Sequence, residues 1–454
     1  MSAIATESKI DTKLPRLKGP IPGPEATKVL KLDAEIISPS YTRDYPLVAK
    51  SGRGAMIEDV DGNVFLDFAA GIAVVSTGHC HPHVVAAIQK QAAELIHISG
   101  TDFYEPSLVA FGQRLAATMP GKEPKRVFYG NSGTEAVEAA LKLARYHTGR
   151  HKVIAYYGCF HGRTMGSLSL TASKAVQRKG MGPLLSGVHH IHYPNRYRCP
   201  YGHAPEVCCK EATSVLGNDL FRRIVDPEEV AAIFIEPIQG EGGYLPAPAE
   251  YLQDLQRICR KYGILLVCDE VQSGMGRTGK MWAHEHAGIE PDIITVAKGV
   301  ASGMPLGVMM ARSSVMNWTP GAHASTFGGN PVCIAAASAT MDLLEGGYIE
   351  NARRMGEFFF GKLGEWTKKF KIVGDVRGKG LMIGVEIVRD QKTKEPAKDL
   401  RDEIVTRAFE KGMLILGAGY NSFRLCPPLM IEQEQAEFAV QTLEQVIGEL
   451  QKKV

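Results

Sequence analysis

Two short apolar segments, each followed by one charged residue, most constrain the fold of this chain. The first is Ile264–Cys268, which is followed directly by Asp269. The second is Ile293–Val296, which is followed by Ala297 and then Lys298. Both are continuous apolar runs bounded by Gly, Asp and Pro, a pattern typical of buried parallel strands. Ligands bind beyond the carboxyl ends of such strands in an open α/β sheet, so we expect Asp269 and Lys298 to face one crevice.

This pair of residue types suggests a particular cofactor chemistry. A lysine can form an imine with a carbonyl cofactor, and an aspartate can keep a pyridine nitrogen protonated so that the ring withdraws electrons. These are the two protein groups that pyridoxal 5'-phosphate (PLP) needs. A solvated charge at a strand end is the simpler interpretation of either residue alone. The two together, with Gly299 after the lysine, favour catalysis.

The same stretch also matches two nucleotide-binding motifs. Gly274–Lys280 fits GxxxxGK, but Met281 stands where a magnesium-binding Ser or Thr belongs, and the loop follows the acidic strand instead of preceding it. The glycines of this segment satisfy GxGxxG as well, yet no apolar helical period follows them. We therefore prefer the PLP hypothesis to either nucleotide hypothesis.

Length and charge bound the class of protein. A chain of 454 residues can form a large domain and a smaller one. Hydrophobic residues make up 44% and charged residues 22%, with a net charge of +3, which is ordinary for a globular enzyme and favours neither nucleic acid nor a membrane surface. No apolar run approaches the ~20 residues of a membrane span, and the first residues lack the apolar core of a signal peptide. We expect a cytoplasmic enzyme with no nucleic-acid or membrane partner.

Nine cysteines, an odd number with several inside apolar strands, indicate reduced thiols rather than a disulfide framework. One local cluster joins Cys199, Cys208 and Cys209, with His203 between them. Its spacing lacks the paired CxxC of a structural zinc site, so we interpret it as an insertion loop and expect no metal.

The remaining pattern predicts strands and helices in alternation. Residues 1 to about 30 read as an arm lying on another surface, and Gly71–Val74 reads as a buried segment. Two His, His79 and His81, flank Cys80 but have no acidic neighbour in the sequence, and we expect a turn rather than a metal site. The predicted elements are a hairpin over Met56–Asp67 turning at Asp61 and Gly62, a helix over Val84–Ile96, strands at Phe128–Ser132, Val153–Tyr157 and Ala232–Glu236, a long amphipathic helix over Tyr348–Phe370, and strands at Leu381–Val388, Met413–Leu416 and Phe423–Cys426. The last quarter reads as an α+β domain with its own core.

Ser132 and Glu135 form the pattern of a capping box at the start of a helix that continues to about Tyr146. A cap alone would explain them. Gly133, however, lets backbone amides approach an anion at the positive end of the helix, which is how phosphate groups are commonly held. With a candidate PLP lysine downstream, we favour a phosphate site.

Two loops carry side chains suited to the same crevice. In the first, Phe160 could lie against a cofactor ring, and Arg163 could receive a carboxylate. In the second, the Gly-rich turn Pro237–Gly243 carries Glu241. A polar loop from His323 to Pro331 precedes an alanine-rich helix.

Assembled in order, these segments resemble the class III (omega) aminotransferases of PLP fold type I over essentially the whole chain. The signature LLVCDEVQSGMGRTG…DIITVAKG is highly specific because it fixes residue types and spacing together. GIAV…TGHCHP, GNSGTEA, FHGRT, EPIQGEGG and STFGGNP match in the same order. The resemblance implies an α/β fold with a large domain on a mostly parallel sheet, and a smaller α+β domain built from the C-terminal part and the N-terminal segment. The implied limits are residues 1–62 for the arm and part of the small domain, 63–345 for the PLP-binding domain and 346–454 for the C-terminal small domain.

The resemblance also implies roles for individual residues. Lys298 would be the Schiff-base lysine and Asp269 the pyridinium partner. The other implied cofactor contacts are Ser132, Gly133 and Thr134 to the phosphate, Phe160 to the ring face, Gln272 to the ring hydroxyl, His161, Glu236 and Val271, and Thr326 from the neighbouring subunit. A residue shared in this way implies a homodimer with joint active sites, with a tetramer also possible.

Within the class, the chain is most similar to 4-aminobutyrate aminotransferases and their acetylornithine relatives. Ile72 stands where ornithine-using members tend to carry a tyrosine, and Arg163 stands where 4-aminobutyrate enzymes hold the distal carboxylate. Arg424 matches the arginine that takes the α-carboxylate of a keto acid such as 2-oxoglutarate, with Glu241 as its partner when that group is absent. The implied substrates are a small-molecule amine and a keto acid.

One departure leaves the reaction type open. The Cys-bearing insertion from Tyr193 to Asn218 is longer than the usual 4-aminobutyrate pattern. Some class III chains with related insertions are amino-acid racemases, so a racemase on the same fold is the alternative. A PLP-fold binding protein without turnover is disfavoured, because Gln272, Glu241 and Arg424 supply substrate chemistry that holding a cofactor does not need.

Overall fold

The structure is a computed structural model that describes residues 10–453. Within that range the strands are β1 (Ala49–Arg53), β2 (Met56–Asp59), β3 (Val64–Asp67), β4 (Lys125–Gly130), β5 (Lys152–Tyr156), β6 (Val188–Ile191), β7 (Val230–Ile235), β8 (Ile238–Gln239), β9 (Leu245–Pro246), β10 (Leu265–Asp269), β11 (Ile293–Val296), β12 (Gly307–Arg312), β13 (Val373–Lys379), β14 (Met382–Ile387), β15 (Met413–Leu414), β16 (Leu416–Ala418) and β17 (Ser422–Leu425). The helices are α1 (Pro24–Ile36), α2 (Ala70–Ala73), α3 (Pro82–Glu94), α4 (Pro106–Ala116), α5 (Gly133–Thr148), α6 (Met165–Leu170), α7 (Pro205–Ser214), α8 (Ala249–Tyr262), α9 (Pro331–Leu343), α10 (Ile349–Leu363), α11 (Trp366–Lys369), α12 (Lys398–Glu410) and α13 (Gln433–Leu450).

A seven-stranded, mostly parallel sheet positions the crevice predicted from the sequence. Its strand order is β4-β12-β11-β10-β7-β5-β6, and β12 alone runs antiparallel to its neighbours. Val267 of β10 lies opposite Ile293 on one side and Phe234 on the other. Every residue of β7, β10 and β11 is buried, which is why these strands are continuously apolar. The predicted fold class is therefore confirmed.

Two further four-stranded sheets belong to the smaller part of the protein. One has the order β13-β14-β17-β16 and carries Arg424 on β17. The other has the order β1-β2-β3-β15, with β15 parallel to β3. A strand from the last tenth of the chain thus completes a sheet begun near its start, as expected for a small domain that joins both ends of the chain. The predicted residue limits of the domains stay predictions.

Several local predictions are confirmed with shifted bounds. The hairpin forms as β2 and β3, with Met56 opposite Leu66, and Gly62 in its turn has a φ of 84°. The helix after the His-containing turn is α3, and the alanine-rich helix is α9. The predicted arm contains α1, while residues 1–9 lie outside the described residues.

Other local predictions are wrong. Gly71 and Ile72 are exposed rather than buried, and α2 is a single left-handed turn in which Ala70, Gly71, Ile72 and Ala73 all have a positive φ. The long helix predicted over Tyr348–Phe370 is interrupted at Gly364 and Glu365, between α10 and α11, since glycine is a poor helix former. Cys208 and Cys209 lie buried on α7 rather than in a loop.

The segment that matched nucleotide-binding motifs is a series of turns. After it comes a short turn at Ala283–His286 rather than a full helix, so no helix N-terminus is offered to a phosphate. Arg277 in this segment is fully buried, and its Nη1 donates hydrogen bonds to the carbonyl oxygens of Leu381 and Pro427. The segment therefore ties the large sheet to the smaller part of the protein.

One helical stretch, Pro331–Lys369, is long and apolar enough by composition to cross a membrane. Half of its most apolar window is buried within the protein, and Ile334, Met341 and Phe359 have no exposed surface. Buried core helices of globular proteins can be as long and as apolar as this stretch.

Candidate active site

A cavity of about 420 Å³ opens at the carboxyl ends of β10 and β11. It brings together eleven of the residues predicted from the sequence: Ser132, Gly133, Thr134, Phe160, His161, Arg163, Glu236, Asp269, Val271, Gln272 and Lys298. The other lining residues are Val74, Asn131, Gly162, Ala297, Gly303, Met304, Pro305 and Leu306. The crevice expected from the two strand ends therefore exists, with both charged residues in its wall.

Lys298 lies two residues beyond the end of β11, in a constrained backbone conformation. Its φ is 40°, a left-handed value that is uncommon for a residue with a side chain. Burial lowers the pKa of the Lys298 ammonium, and the positive charge of Arg424 lowers it further. Its Nζ has no hydrogen bond or ion pair with any residue from 10 to 453. A lysine of this kind is a nucleophile and a proton acceptor closer to neutral pH than an exposed lysine.

Asp269 is held in place by a histidine from a neighbouring loop. Its Oδ2 lies 2.7 Å from His161 Nδ1, and its Oδ1 accepts a hydrogen bond of 3.0 Å from the amide of Val271. Burial alone would lower the pKa of His161, but Cys159 and the Asp269 carboxylate reverse this and raise that pKa well above its ordinary value. His161 Nε2 is buried and has no partner among the described residues. The pair thus fixes the orientation of a negative charge inside the cavity.

The N-terminus of α5 forms another part of the cavity wall. Ser132 caps the helix by accepting a hydrogen bond of 3.3 Å from the amide of Glu135. The Glu135 carboxylate binds the amide of Asn131 instead of that of Ser132, so the reciprocal half of the expected capping box is absent. The amides of Gly133 and Thr134 donate to no residue between 10 and 453, and such free amides at a helix N-terminus bind anions.

The hydroxyl of Thr134 is already engaged within the protein. It lies 2.7 Å from Thr164 Oγ1 and 2.6 Å from Ser167 Oγ. Both residues also bond Glu138, whose Oε1 accepts hydrogen bonds from the Thr164 hydroxyl and from the Ser167 backbone amide. Thr134 therefore offers its amide, rather than its side chain, to an anion in the cavity.

A close backbone approach positions this helix against the sheet. A Cβ atom at Gly307, the first residue of β12, would lie 2.0 Å from the carbonyl oxygen of Ser132. Only glycine permits this approach without displacing backbone. The start of α5 is thus fixed relative to β11 and Lys298, since β12 pairs directly with β11.

Glu236 is a second buried carboxyl group in the wall of the cavity. It follows β7, is 5% exposed, and accepts hydrogen bonds of 3.0 Å from the amides of Phe160 and Gly240. Burial raises the pKa of Glu236 to about 7, with the charge of Asp269 adding to the shift against the opposing charge of His161. It anchors both loops that carry the predicted substrate residues.

Gln272 is oriented by a residue that the sequence analysis missed. The hydroxyl of Tyr244 donates a hydrogen bond of 2.7 Å to Gln272 Oε1, which leaves the Gln272 amide nitrogen free to donate into the cavity. Tyr244 is fully buried, and its ring lies 5.7 Å below the Arg424 guanidinium carbon. The sequence signal that could have identified Tyr244 is its position directly after the Gly-rich turn Pro237–Gly243.

Arg424 and Glu241 form the ion pair expected from the resemblance. Arg424 Nη1 lies 2.9 Å from Glu241 Oε1, and Arg424 is only 4% exposed. The second carboxylate oxygen, Oε2, lies 3.1 Å from Lys174 Nζ, a contact that nothing in the sequence pattern predicted. Burial alone would raise the pKa of Glu241, but Arg424 and Lys174 lower it to about 2. The pair borders the Lys298 site closely enough for Arg424 to lower the lysine pKa.

Three other predicted residues are exposed or only partly enclosed. The guanidinium carbon of Arg163 lies 5.6 Å from the centre of the Phe160 ring, and Arg163 is exposed at the mouth of the cavity. Ile72 is 46% exposed and Thr326 is exposed, and neither lines this cavity.

The residues present fit PLP as the resident group. The two free amides at the start of α5 suit a phosphate, Asp269 suits a ring nitrogen, and the unpaired Lys298 amine suits a carbonyl. No group of three or more His, Cys, Asp or Glu side chains among residues 10–453 could hold a metal ion, and all nine cysteines are free.

Comparisons with known proteins agree with this geometry. A family model described as aminotransferase class-III matches residues 37–447. The chain is 39% identical over 446 residues to the alanine/serine racemase of Pyrococcus horikoshii, covering 95% of this chain and 94% of that one. It is also 39% identical over 433 residues to an acetylornithine aminotransferase of Caldanaerobacter subterraneus subsp. tengcongensis, covering 93% of this chain and 100% of that one.

A solved structure gives the same result for the fold. The PLP-bound amine transaminase from an uncultivated Pseudomonas species matches with a TM-score of 0.84 at 31% identity, covering 91% of this chain and 98% of that one.

Proposed function

The chain belongs to the class III aminotransferase family and is a PLP-dependent enzyme, and we propose that it transfers an amino group from an ω-amino donor to 2-oxoglutarate, giving glutamate. The donor is of the 4-aminobutyrate, acetylornithine or ornithine kind. The proposal rests on one observation above all, the buried pair of Arg424 and Glu241 beside Lys298.

Bound at this site, PLP supplies a carbonyl that takes up the amino group and a ring that stabilises negative charge at the adjacent carbon. Lys298 is the residue suited to hold and move a proton at its Nζ, because burial and Arg424 favour its neutral form. Asp269, braced by His161, provides a fixed negative charge for a protonated ring nitrogen. The amides of Gly133 and Thr134 would bind the phosphate, and Gln272, oriented by Tyr244, would donate to the ring hydroxyl.

The Arg424–Glu241 pair explains how one pocket accepts two different substrates. An ω-amino donor has no carboxylate on the carbon that carries the reacting amine, and an unpaired guanidinium in a buried crevice would lose several kcal/mol of hydration. Glu241 neutralises Arg424 during that half-reaction. A keto acid brings its own α-carboxylate, which can pair with the guanidinium once Glu241 has moved.

Arg163 completes the proposed recognition of a dicarboxylic acceptor. It is exposed at the mouth of the cavity and rests against the Phe160 ring. A distal carboxylate reaching the mouth would meet this guanidinium while the other end of the molecule lies near Lys298.

We also propose that the protein is a homodimer, or a dimer of dimers, with shared active sites. Large apolar side chains are exposed at Ile72, Ile96, Phe103, Tyr104 and Phe327, and a partner subunit that covers such side chains would remove apolar surface from water. Thr326 would then contact the phosphate in the partner's site. The free cysteines support the proposal of a cytoplasmic enzyme.

Racemisation of an amino acid is the alternative, favoured by the 39% identity to the Pyrococcus horikoshii racemase. A racemase returns the proton to the same carbon and needs no keto acid. A racemase would also need no alternation of partners at Arg424, because its substrate keeps its α-carboxylate throughout.

An assay without keto acid distinguishes the two. We expect 4-aminobutyrate, acetylornithine or ornithine alone to shift the visible absorbance of the holoenzyme once, in stoichiometric amount, and 2-oxoglutarate to reverse the shift with formation of glutamate. An L-amino acid that instead exchanges its α-hydrogen in deuterated water and is converted into its D-enantiomer, with no keto acid present, no stoichiometric limit and no amination of 2-oxoglutarate, would refute transamination in favour of racemisation.

A further inference from the structure

We propose that Lys174 is a positioning residue that receives the Glu241 carboxylate whenever the carboxylate of a keto acid occupies Arg424. This inference rests on the proposed transamination and adds a residue to it. It concerns the question of where the displaced glutamate goes.

Glu241 already lies between two cations. Its Oε1 is 2.9 Å from Arg424 Nη1, and its Oε2 is 3.1 Å from Lys174 Nζ. The side chain of Arg424 is 5% exposed, that of Glu241 17% and that of Lys174 45%. Exposure thus increases from Arg424 through Glu241 to Lys174, and the carboxylate contacts both cations.

The contact with Lys174 lowers the energetic cost of moving the Glu241 carboxylate away from Arg424. A carboxylate that leaves its partner in a desolvated crevice is costly unless another donor takes it up. Lys174 already contacts the second oxygen, so Glu241 can give up Arg424 by a small side-chain rotation and still keep one ion pair. Because Lys174 is half-exposed, solvent screens its attraction, and Glu241 returns to Arg424 when the keto acid is absent.

The direct test is binding of glutarate to the holoenzyme, measured by titration calorimetry. Glutarate has both carboxylates of 2-oxoglutarate but no keto group, so it binds without reacting. Lys174→Met removes the charge and keeps the aliphatic chain, and Lys174→Arg keeps the charge. Lys179→Met is the matched control, since Lys179 is an exposed lysine five residues away that forms no ion pair with a described residue.

We expect Lys174→Met to weaken glutarate binding about fivefold, the upper range for a partly exposed ion pair, and Lys174→Arg and Lys179→Met to change it by less than about twofold. Arg424→Ala should eliminate the binding, which locates it at the guanidinium. In single-turnover measurements, Lys174→Met should raise the apparent dissociation constant for 2-oxoglutarate without lowering its limiting rate, and should affect the amine half-reaction less.

Three results would overturn the inference. The first is that Lys174→Met and Lys179→Met bind glutarate equally well. The second is that Lys174→Met weakens both half-reactions equally. The third is that the wild-type holoenzyme binds no glutarate, since Arg424 is then never vacated. Failure of the proposed function looks different. If no keto acid is aminated but the glutarate affinities differ as expected, transamination is wrong and the role of Lys174 stands.

Discussion

At the scale of single residues, the site is controlled by which charges are removed from water and which partners they keep. Arg424 is almost fully buried and bonds Glu241 through one nitrogen, while its Nε has no partner among the described residues. Glu241 is the more adaptable member because it has two cationic partners and Arg424 has one carboxylate. Exchange of partners is therefore easier for the glutamate than for the arginine.

The lowered pKa of Glu241 has a consequence for stability. Its folded pKa is about 2 against an ordinary value of 4.5, so its ionised form stabilises the fold fully above pH 4.5, and this contribution is lost as the pH falls through 2. The shift corresponds to about 3 kcal/mol. We expect Glu241→Gln to lower the free energy of unfolding of the apoenzyme by about this amount at pH 7.

Urea unfolding of wild type and Glu241→Gln across a series of pH values measures this contribution. The difference between the two proteins should shrink steadily below pH 4.5 and vanish near pH 2. A difference that stays constant with pH would mean that lost packing, rather than lost charge, destabilises the variant.

At the scale of elements, the proposed phosphate site depends on how closely α5 approaches the sheet. The start of α5 rests on Gly307 of β12, where a Cβ atom would lie 2.0 Å from the Ser132 carbonyl oxygen. We expect Gly307→Ala to push the free amides of α5 away from Lys298 and to weaken PLP binding to the apoenzyme by at least about tenfold, since near-ideal geometry is needed for phosphate recognition.

Fluorescence titration of the apoenzyme with PLP measures this loss. Gly361→Ala is the matched control, because Gly361 is exposed within α10 and a Cβ atom there meets nothing within 4 Å. That change should leave PLP affinity unaltered and stabilise α10 by about 0.5–1 kcal/mol. Equal PLP affinity in both variants would show that the contact at Ser132 does not position the phosphate site.

The elements also show how far the sequence could predict this structure. Asp269 and Lys298 were placed correctly because continuous apolar runs identify buried strands and strand direction then fixes where they end. β13 was missed because its residues, VGDVRGK, alternate weakly and carry three charges. The pairing of β15 with β3 was missed because nothing local in either strand encodes a partner so distant in the chain.

The same reasoning applies to the site. Eleven of the residues named from the sequence line the cavity, Ile72 and Thr326 do not, and Lys174 and Tyr244 were missed. Both residues act through contacts with residues that are distant in the sequence. Lys174 forms an ion pair with Glu241, and Tyr244 contacts Gln272 and Arg424. Left-handed φ values at Ala70 and Ile72 were equally invisible, since neither is a residue type that favours them.

At the scale of the whole molecule, the proposed shared site makes a complementation prediction. Thr326 is exposed and lies outside the cavity that holds Lys298 of the same chain. If it serves the partner's site, dimers mixed from a Lys298→Ala chain and a Thr326→Ala chain contain one site with both substitutions and one with neither. We expect such mixed dimers to recover about half of the wild-type activity per dimer.

Co-expression with two different affinity tags isolates the mixed dimers for this assay. Each variant alone should show less activity than the mixture, with Lys298→Ala inactive and Thr326→Ala weakened in PLP affinity. Mixed dimers no more active than the mean of the two separate variants would place Thr326 and Lys298 in the same site or in no common site.

The pairing of β15 with β3 also bears on how the protein is made in a cell. β3 lies inside a sheet in the finished protein, yet the strand that covers it is synthesised only after most of the chain has left the ribosome. Until then only Val64 at the start of β3 has a partner along this edge, Arg16, and the rest of the edge is unpaired. Phe65 and Leu66, which are fully buried in the finished protein, lie in that part. Uncovered apolar edges are the surfaces that nascent chains use to aggregate. Release of a chain that stops before Met413 thus leaves this edge permanently open to other chains.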